Sequence, residues 1–234
     1  MVLQVSSTRQ SPLVTWESLP EDFVLPDDPV ENIQQPSLAA ALTDALGAAQ
    51  RIQPQMLIAS NFGLVATVNE KTVVKAPDWL YVPKVNPVKE GVIRRSYTPY
   101  LEGDPVAIVM EFLSQSDTGE YSLWPTFPYG KLYFYERILK VPIYAIFDPC
   151  EPHLEVRKLQ EGQYVVQKAN EQERYWIPEL KLFLGVWYGT RLNLTAHWLR
   201  WWDNSGRLLL WSAEQTDLLA AKLRELGIDP DTLG

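Results

Sequence analysis

The stretch VVKAPDWLYVP, Val73–Pro83, carries one carboxylate inside a strand-like run. Val73 and Val74 read as strand, Trp79, Tyr81 and Val82 continue the apolar pattern, and Asp78 follows Pro77 between them. The longer run KTVVKAPDWLYV reads as one strand, and Pro77 within it implies an edge or a bulge, because proline cannot donate to a sheet ladder. An acid in such a run is costly unless it is solvated, paired or bound to a metal. The reading of the chain therefore turns on what its other segments place beside Asp78.

Upstream, PSLAAALTDALGAAQRI predicts a helix that starts at Pro36 and Ser37, with Leu38, Ala41, Leu42, Ala45, Leu46 and Ala49 on one face. QMLIAS and FGLVATV predict two short strands around Asn61. Downstream, residues 83–105 hold four prolines and little pattern, and read as a long loop. PVAIVMEFLS is apolar almost to its end and predicts a buried strand, GKLYFYERILK a helix, and VPIYAIFDP a second buried strand. HLEVRKL and QYVVQKA alternate around Glu161–Gly162 and predict a hairpin. LKLFLGVWYG and HWLRWWDNSGRLLLW predict further strands, the latter a hairpin turning at Asn204–Ser205–Gly206. SAEQTDLLAAKLRELG closes as a helix with Ser212 as N-cap, a capping box to Gln215 and Gly227 as its stop. Residues 1–35, rich in Pro, Asp and Ser, read as an irregular arm.

Apolar residues make up 46% of the 234-residue chain, enough for a sizeable core. A net charge of −8 argues against a surface that wraps nucleic acid on all sides, though not against a local basic patch. Nine Trp and eleven Tyr point to a large aromatic core with a partner interface. The single cysteine, Cys150, forbids an intrachain disulfide, fits a reducing, cytoplasmic compartment, and reads as structural. The opening MVLQVSSTRQSP lacks a basic region followed by an apolar stretch, and no apolar run approaches the ~20 residues of a membrane span.

A second acid, Glu111, lies near the end of VAIVMEFLS, sharing a sheet face with Val109 and Leu113 while Met110 and Phe112 point the other way. Two carboxylates converging from adjacent strands make an oxygen-rich site suited to Mg²⁺ or Mn²⁺. The bland alternative is that each acid pairs with a base or reaches solvent at a strand end. Lys131 opens the helix that follows, from where it could orient a water and offset charge on a phosphate. Ser114, Ser116 and Asp117 follow Glu111 and offer further polar contacts. Lys84, Lys89, Arg94 and Arg95, beside Tyr97 and Tyr100, form a candidate nucleic-acid patch, to which Ser114 is added. His153 and His197 stand apart, and no Cys/His zinc spacing, P-loop or nucleophile-elbow motif occurs.

Taken in order, APDW, MEFLS and the segment from Lys131 through Tyr135 to VPIYAIFDP resemble the Uma-two family, part of the PD-(D/E)xK restriction-endonuclease-like superfamily. The resemblance covers roughly residues 15–190. The family's Pro–Asp matches Pro77–Asp78, its Glu-x-x-Ser matches Glu111 to Ser114, and its helical lysine and tyrosine match Lys131 and Tyr135. It implies an α/β (α+β) fold: an αβββαβ core with a mixed central sheet, extended by C-terminal β-hairpins and a terminal helix. The expected division is an arm over 1–35, the restriction-endonuclease-like domain over 36–195, and a hairpin with a helix over 196–234. The resemblance further implies a Mg²⁺- or Mn²⁺-dependent phosphodiesterase acting on DNA, with Asp78 and Glu111 as metal ligands and Asp78, Glu111 and Lys131 as catalytic residues. The superfamily expects Glu-x-Lys on one strand; Leu113 stands at that lysine position, and Lys131 is expected to substitute from the helix. Two other readings stay open. One is an inactive, homodimeric interaction module that uses HWLRWW and the leucines Leu218, Leu219, Leu223 and Leu226 of the last helix. The other is a carbohydrate-acting protein with paired acids and tryptophan platforms.

Overall fold

The computed structural model describes residues 12–18, 33–113 and 119–230. In chain order the elements are β1 (Val14–Thr15), α1 (Gln34–Ala48), β2 (Leu57–Ala59), β3 (Gly63–Val68), β4 (Lys71–Lys75), β5 (Trp79–Val82), β6 (Ser96–Tyr97) and β7 (Ile108–Phe112). Then follow α2 (Lys131–Tyr133), continued by a wide π-helical turn (Phe134–Ile138), β8 (Ile143–Asp148), β9 (His153–Gln160), β10 (Gln163–Val166), β11 (Arg174–Ile177), β12 (Leu182–Arg191), β13 (Leu194–Trp202) and α3 (Ser212–Glu225).

A six-stranded mixed sheet in the order β10-β9-β8-β7-β5-β2 forms the centre, with β7 and β8 parallel and the other neighbours antiparallel. Alternation along the strands sends side chains to two cores. Met110 and Phe112 of β7 and Ala145 and Phe147 of β8 meet α1 and the C-terminal sheet β11-β12-β13. Val109 of β7 and Tyr144 and Ile146 of β8 meet α2, its π turn, and a small sheet in which β3 pairs with β1, β4 and β6. The central sheet is thus covered on both faces, which explains why β7 is buried at every position.

Tryptophans fasten the first of these layers. The indole N–H groups of Trp201 and Trp211 donate to the Leu42 and Ala41 carbonyls of α1, at 3.2 and 3.0 Å, and that of Trp79 donates to Thr43 Oγ1 at 2.9 Å. Much of the aromatic excess is therefore core, with the polar handles of the rings satisfied by one helix.

Several expectations need correction. The run around Asp78 is two strands: β4 pairs with β3 in the small sheet and β5 pairs with β2 and β7 in the central one. The chain changes sheets at Ala76–Pro77–Asp78, so Pro77 marks a crossing rather than a bulge. The loop 83–105 contributes β6, which pairs parallel with β3. Helix α1 begins two residues before Pro36; proline is tolerated in a first turn, where its missing N–H has no intrahelical partner. The large C-terminal hairpin is β12–β13, turning at Leu192–Asn193, both with positive φ, whereas Asn204–Gly206 closes only an isolated Trp202–Leu208 bridge. The expected boundary at 195/196 falls inside β13. The α3 cap sits one residue early: Trp211 precedes the helix and its N–H donates to Glu214 at 2.8 Å. The expected hairpin at Glu161–Gly162 is present as β9–β10. Among the described residues, no helix is long and apolar enough to cross a membrane.

Candidate active site

The crossing from β4 to β5 sets Asp78 at the start of β5, half-buried. Antiparallel pairing of Trp79 with Met110 brings the end of β7 alongside. There the Phe112 N–H donates to Asp78 Oδ2 at 2.6 Å, which holds the Asp78 carboxylate against the backbone that carries Glu111. Glu111 faces the second core, as its alternation with Met110 and Phe112 requires, and is fully buried.

Two groups from the following helix meet it. The Lys131 ammonium donates to Glu111 Oε2 at 3.2 Å, and the Tyr135 hydroxyl donates to Glu111 Oε1 at 2.8 Å. Tyr135 lies in the π turn, where the Leu139 N–H reaches back five residues to the Phe134 carbonyl at 2.9 Å. Such widened turns re-aim side chains and recur at functional sites.

Glu120, in a short 3₁₀ turn at Gly119–Tyr121, completes the cluster. It accepts from Lys131 Nζ through Oε1 at 2.9 Å, and its backbone carbonyl accepts from the Tyr144 hydroxyl at 2.9 Å. Its other oxygen, Oε2, is buried and lacks a hydrogen-bond partner. Sequence reading missed Glu120, which lies in an aperiodic loop and carries no spacing signal.

The electrostatics are strained toward acid. Burial pushes the Glu111 carboxyl up to about 8 from an ordinary 4.5; Lys131 and the Tyr135 hydrogen bond pull it down, and the Asp78 and Glu120 charges push it further up. Burial pulls Lys131 down, but Glu111 and Glu120 outweigh it and hold the ammonium charged above the ordinary lysine range. Glu111 and Glu120 thus share the Lys131 ammonium at a buried strand end.

That imbalance tests whether a divalent ion would fit. All available donors are oxygens, the class that Mg²⁺ and Mn²⁺ prefer, and one buried carboxylate oxygen has no partner. Among the described residues, no three Asp, Glu, His or Cys side chains converge into a ready-made cage. Asp78 and Glu111 supply carboxyl oxygens from the start of β5 and the end of β7, with Lys131 between Glu111 and Glu120.

The described candidate nucleic-acid residues sit in the segment after β5. Lys84 is exposed two residues past β5, while Asp78 precedes that strand, a separation of roughly 20 Å along extended chain. Arg94 is drawn inward: it pairs with Glu102, donates to the Asn86 carbonyl at 2.7 Å and lies 5.7 Å from the Tyr97 ring. Tyr97 is buried, whereas Tyr100 is exposed and packs on Trp16. Arg95 and Lys89 are exposed. Ser114, Ser116 and Asp117 lie outside the described residues. Cys150 is exposed in the β8–β9 turn rather than packed in a core. His153 pairs with Asp148 across β8–β9, and His197 with Tyr188 across β12–β13.

A search of curated proteins returned no match. A family model described as "Putative restriction endonuclease" matches residues 16–195, which takes in Asp78, Glu111, Glu120 and Lys131. The mixed central sheet with its flanking helices agrees with that fold. The chain belongs to the Uma2 (Uma-two) family of restriction-endonuclease-like proteins.

Proposed function

We propose that the chain is a Mg²⁺- or Mn²⁺-dependent endonuclease that hydrolyses phosphodiester bonds in DNA. The observation that carries this reading is the docking of the Asp78 carboxylate on the Phe112 N–H, beside a buried Glu111 that shares Lys131 with a partly unpartnered Glu120. Asp78 and Glu111 would hold the ion. When bound, it would supply Lewis-acid polarisation of a phosphoryl oxygen and a water of lowered pKa.

The protein's own groups do the rest. Tyr135 fixes the rotamer of Glu111 through the bond to Oε1. Lys131 offers a fixed positive charge to a scissile phosphate, supplied from a helix because Leu113 occupies the usual strand position. Glu120 anchors the ammonium from the far side, so Lys131 keeps a partner when Glu111 turns to a ligand. The lone, exposed Cys150 agrees with work in the cytoplasm, and the exposed Lys84 and Arg95 are candidates for contact with flanking phosphates.

The test is cleavage of single-stranded, nicked and duplex DNA with Mn²⁺, Mg²⁺ or EDTA, by wild type and by Asp78→Asn and Glu111→Gln variants. Cleavage that needs the metal and disappears in both variants is expected. Wild-type cleavage by either folded variant would overturn the assignment.

A further inference from the structure

The segment from Tyr121 to Gly130 joins Glu120 to Lys131, so it starts and ends at the carboxylate site. Its backbone is well tied: the Ser122 N–H donates to the Gly119 carbonyl at 3.0 Å, Gly130 to Trp124 at 2.9 Å, and Tyr133 to Ser122 at 3.2 Å. A side chain at Gly130 would meet the Ser122 carbonyl at 2.1 Å, so the two ends of the segment can approach only with glycine there. Beneath it, Tyr129 stacks on Tyr133 at 5.9 Å and Phe127 meets Tyr129 edge-on at 6.4 Å.

This ordered backbone turns its large apolar side chains into water. Leu123, Trp124 and Phe127 are 57, 62 and 51% exposed, and Tyr121 is 39% exposed. Apolar side chains clustered on an ordered segment mark a binding surface. A cation lies over one end of the ridge, with Lys71 Nζ 5.1 Å from the Phe127 ring, while the Arg157 guanidinium 5.5 Å from the Tyr121 ring is paired with Glu155 at 2.6 Å. Exposed rings with a cation beside them complement bases joined by phosphates.

Resting on the nuclease reading, we propose that this ridge stacks the unpaired bases of single-stranded DNA and so favours single-stranded over intact duplex substrate at the carboxylate site. In a duplex the base faces are covered by their neighbours, and an aromatic ridge gains nothing from them. A duplex must be held mainly through phosphate neutralisation, and a chain of net charge −8 is poorly supplied for that. Stacking adds affinity with each unpaired base, which an intact duplex cannot gain.

The experiment is fluorescence anisotropy of labelled oligothymidylate and of its duplex with oligodeoxyadenylate, in EDTA and in Ca²⁺. Wild type is compared with Trp124→Ala and Trp124→Ala/Phe127→Ala, whose folding is checked by thermal melting. The inference expects the single strand to bind at least ~10-fold tighter than duplex, and the double variant to lose roughly tenfold or more on the single strand alone. Equal or tighter duplex binding, an unaffected double variant, or no binding to either form would overturn it. So would a change in self-association as the only effect of the double variant. Metal-dependent cleavage of the single strand that stays at the wild-type level in the double variant would sink this inference and leave the nuclease reading standing, whereas absence of cleavage by wild type sinks the nuclease reading itself.

Discussion

Arg200, in the C-terminal sheet that covers one face of the central sheet, and Glu111, on a central strand and facing the other core, are both fully buried, and their surroundings differ in kind. Arg200 is closed in on its own terms. Its guanidinium makes two bonds to Glu214, at 2.6 and 3.1 Å, donates to the Leu209 carbonyl at 3.0 Å and lies 3.4 Å from the Trp211 ring. One nitrogen, Nε, is left over, and burial lowers the pKa of a group that stays charged in any case. This cage joins β13 to the start of α3, a helix with no buried residue of its own. Glu111 has comparable bonds from Lys131 and Tyr135, yet burial still pushes its proton affinity up, and the nearby Glu120 keeps a bare oxygen. The first cluster balances its charges with groups the fold contains. The second sets two carboxyls on one ammonium, a cluster that a proton on Glu111 or a divalent ion from solution would balance. A buried charge thus tells little until its partners are counted, since only the unbalanced one points to a ligand.

The largest way to break the contrast is at Glu111. Glu111→Gln should abolish metal-dependent cleavage, by at least ~100-fold in kcat, while the fold survives. The same change should stabilise the protein at high pH. The folded carboxyl titrates at about 8 and the unfolded one at 4.5, so the folded state holds the extra proton between those values. The contribution of Glu111 to wild-type stability should therefore be full below pH 4.5, fall by up to ~1.4 kcal/mol per unit toward pH 8, and level off above it. Thermal melts at pH 5 and 8.5 check this: the advantage of Glu111→Gln should appear at the higher pH and vanish at the lower.

Arg200→Ala should break the balanced cluster, with a loss of about 2–4 kcal/mol in urea unfolding, because Glu214 and two indoles lose their common partner. Arg200→Met should recover a good part by refilling the space, and neither should change the metal requirement of cleavage. Glu120→Gln should be milder. It keeps shape but removes one of the two charges on Lys131, costing cleavage roughly tenfold, or ~1.4 kcal/mol, with little change in melting temperature. The smallest effect is expected away from both clusters. Leu192 is 82% exposed with φ 49°, so Leu192→Gly should raise stability by ~0.5–1 kcal/mol in the same urea series.

Legibility in the sequence followed locality. Glu111 and Asp78 stood out because an acid in an apolar run is an anomaly at the level of pattern, and Lys131 because it opens a helix next in order. Glu120 did not, since its burial depends on Lys131 and Tyr144 arriving from elsewhere. The run around Asp78 reads as one strand because alternation cannot show a change of sheet; only the pairing of β4 with β3 and of β5 with β7 does. The β12–β13 turn was overlooked because Leu192–Asn193 lacks glycine, and the glycine of Asn204–Ser205–Gly206 drew the hairpin to the wrong place. Arg94 enters the candidate patch on composition, whereas its pairing with Glu102, eight positions away in a loop with no period, shows only in the structure.

The most direct test of the account is a thermal melt of wild type and of Asp78→Asn/Glu111→Gln with and without millimolar Mn²⁺. Ligand that binds only the folded state raises the midpoint by mass action. The account predicts a Mn²⁺-dependent rise in wild type that is absent from the double variant. An equal rise in both, or none in wild type, would contradict the claim that these two carboxylates form a metal site.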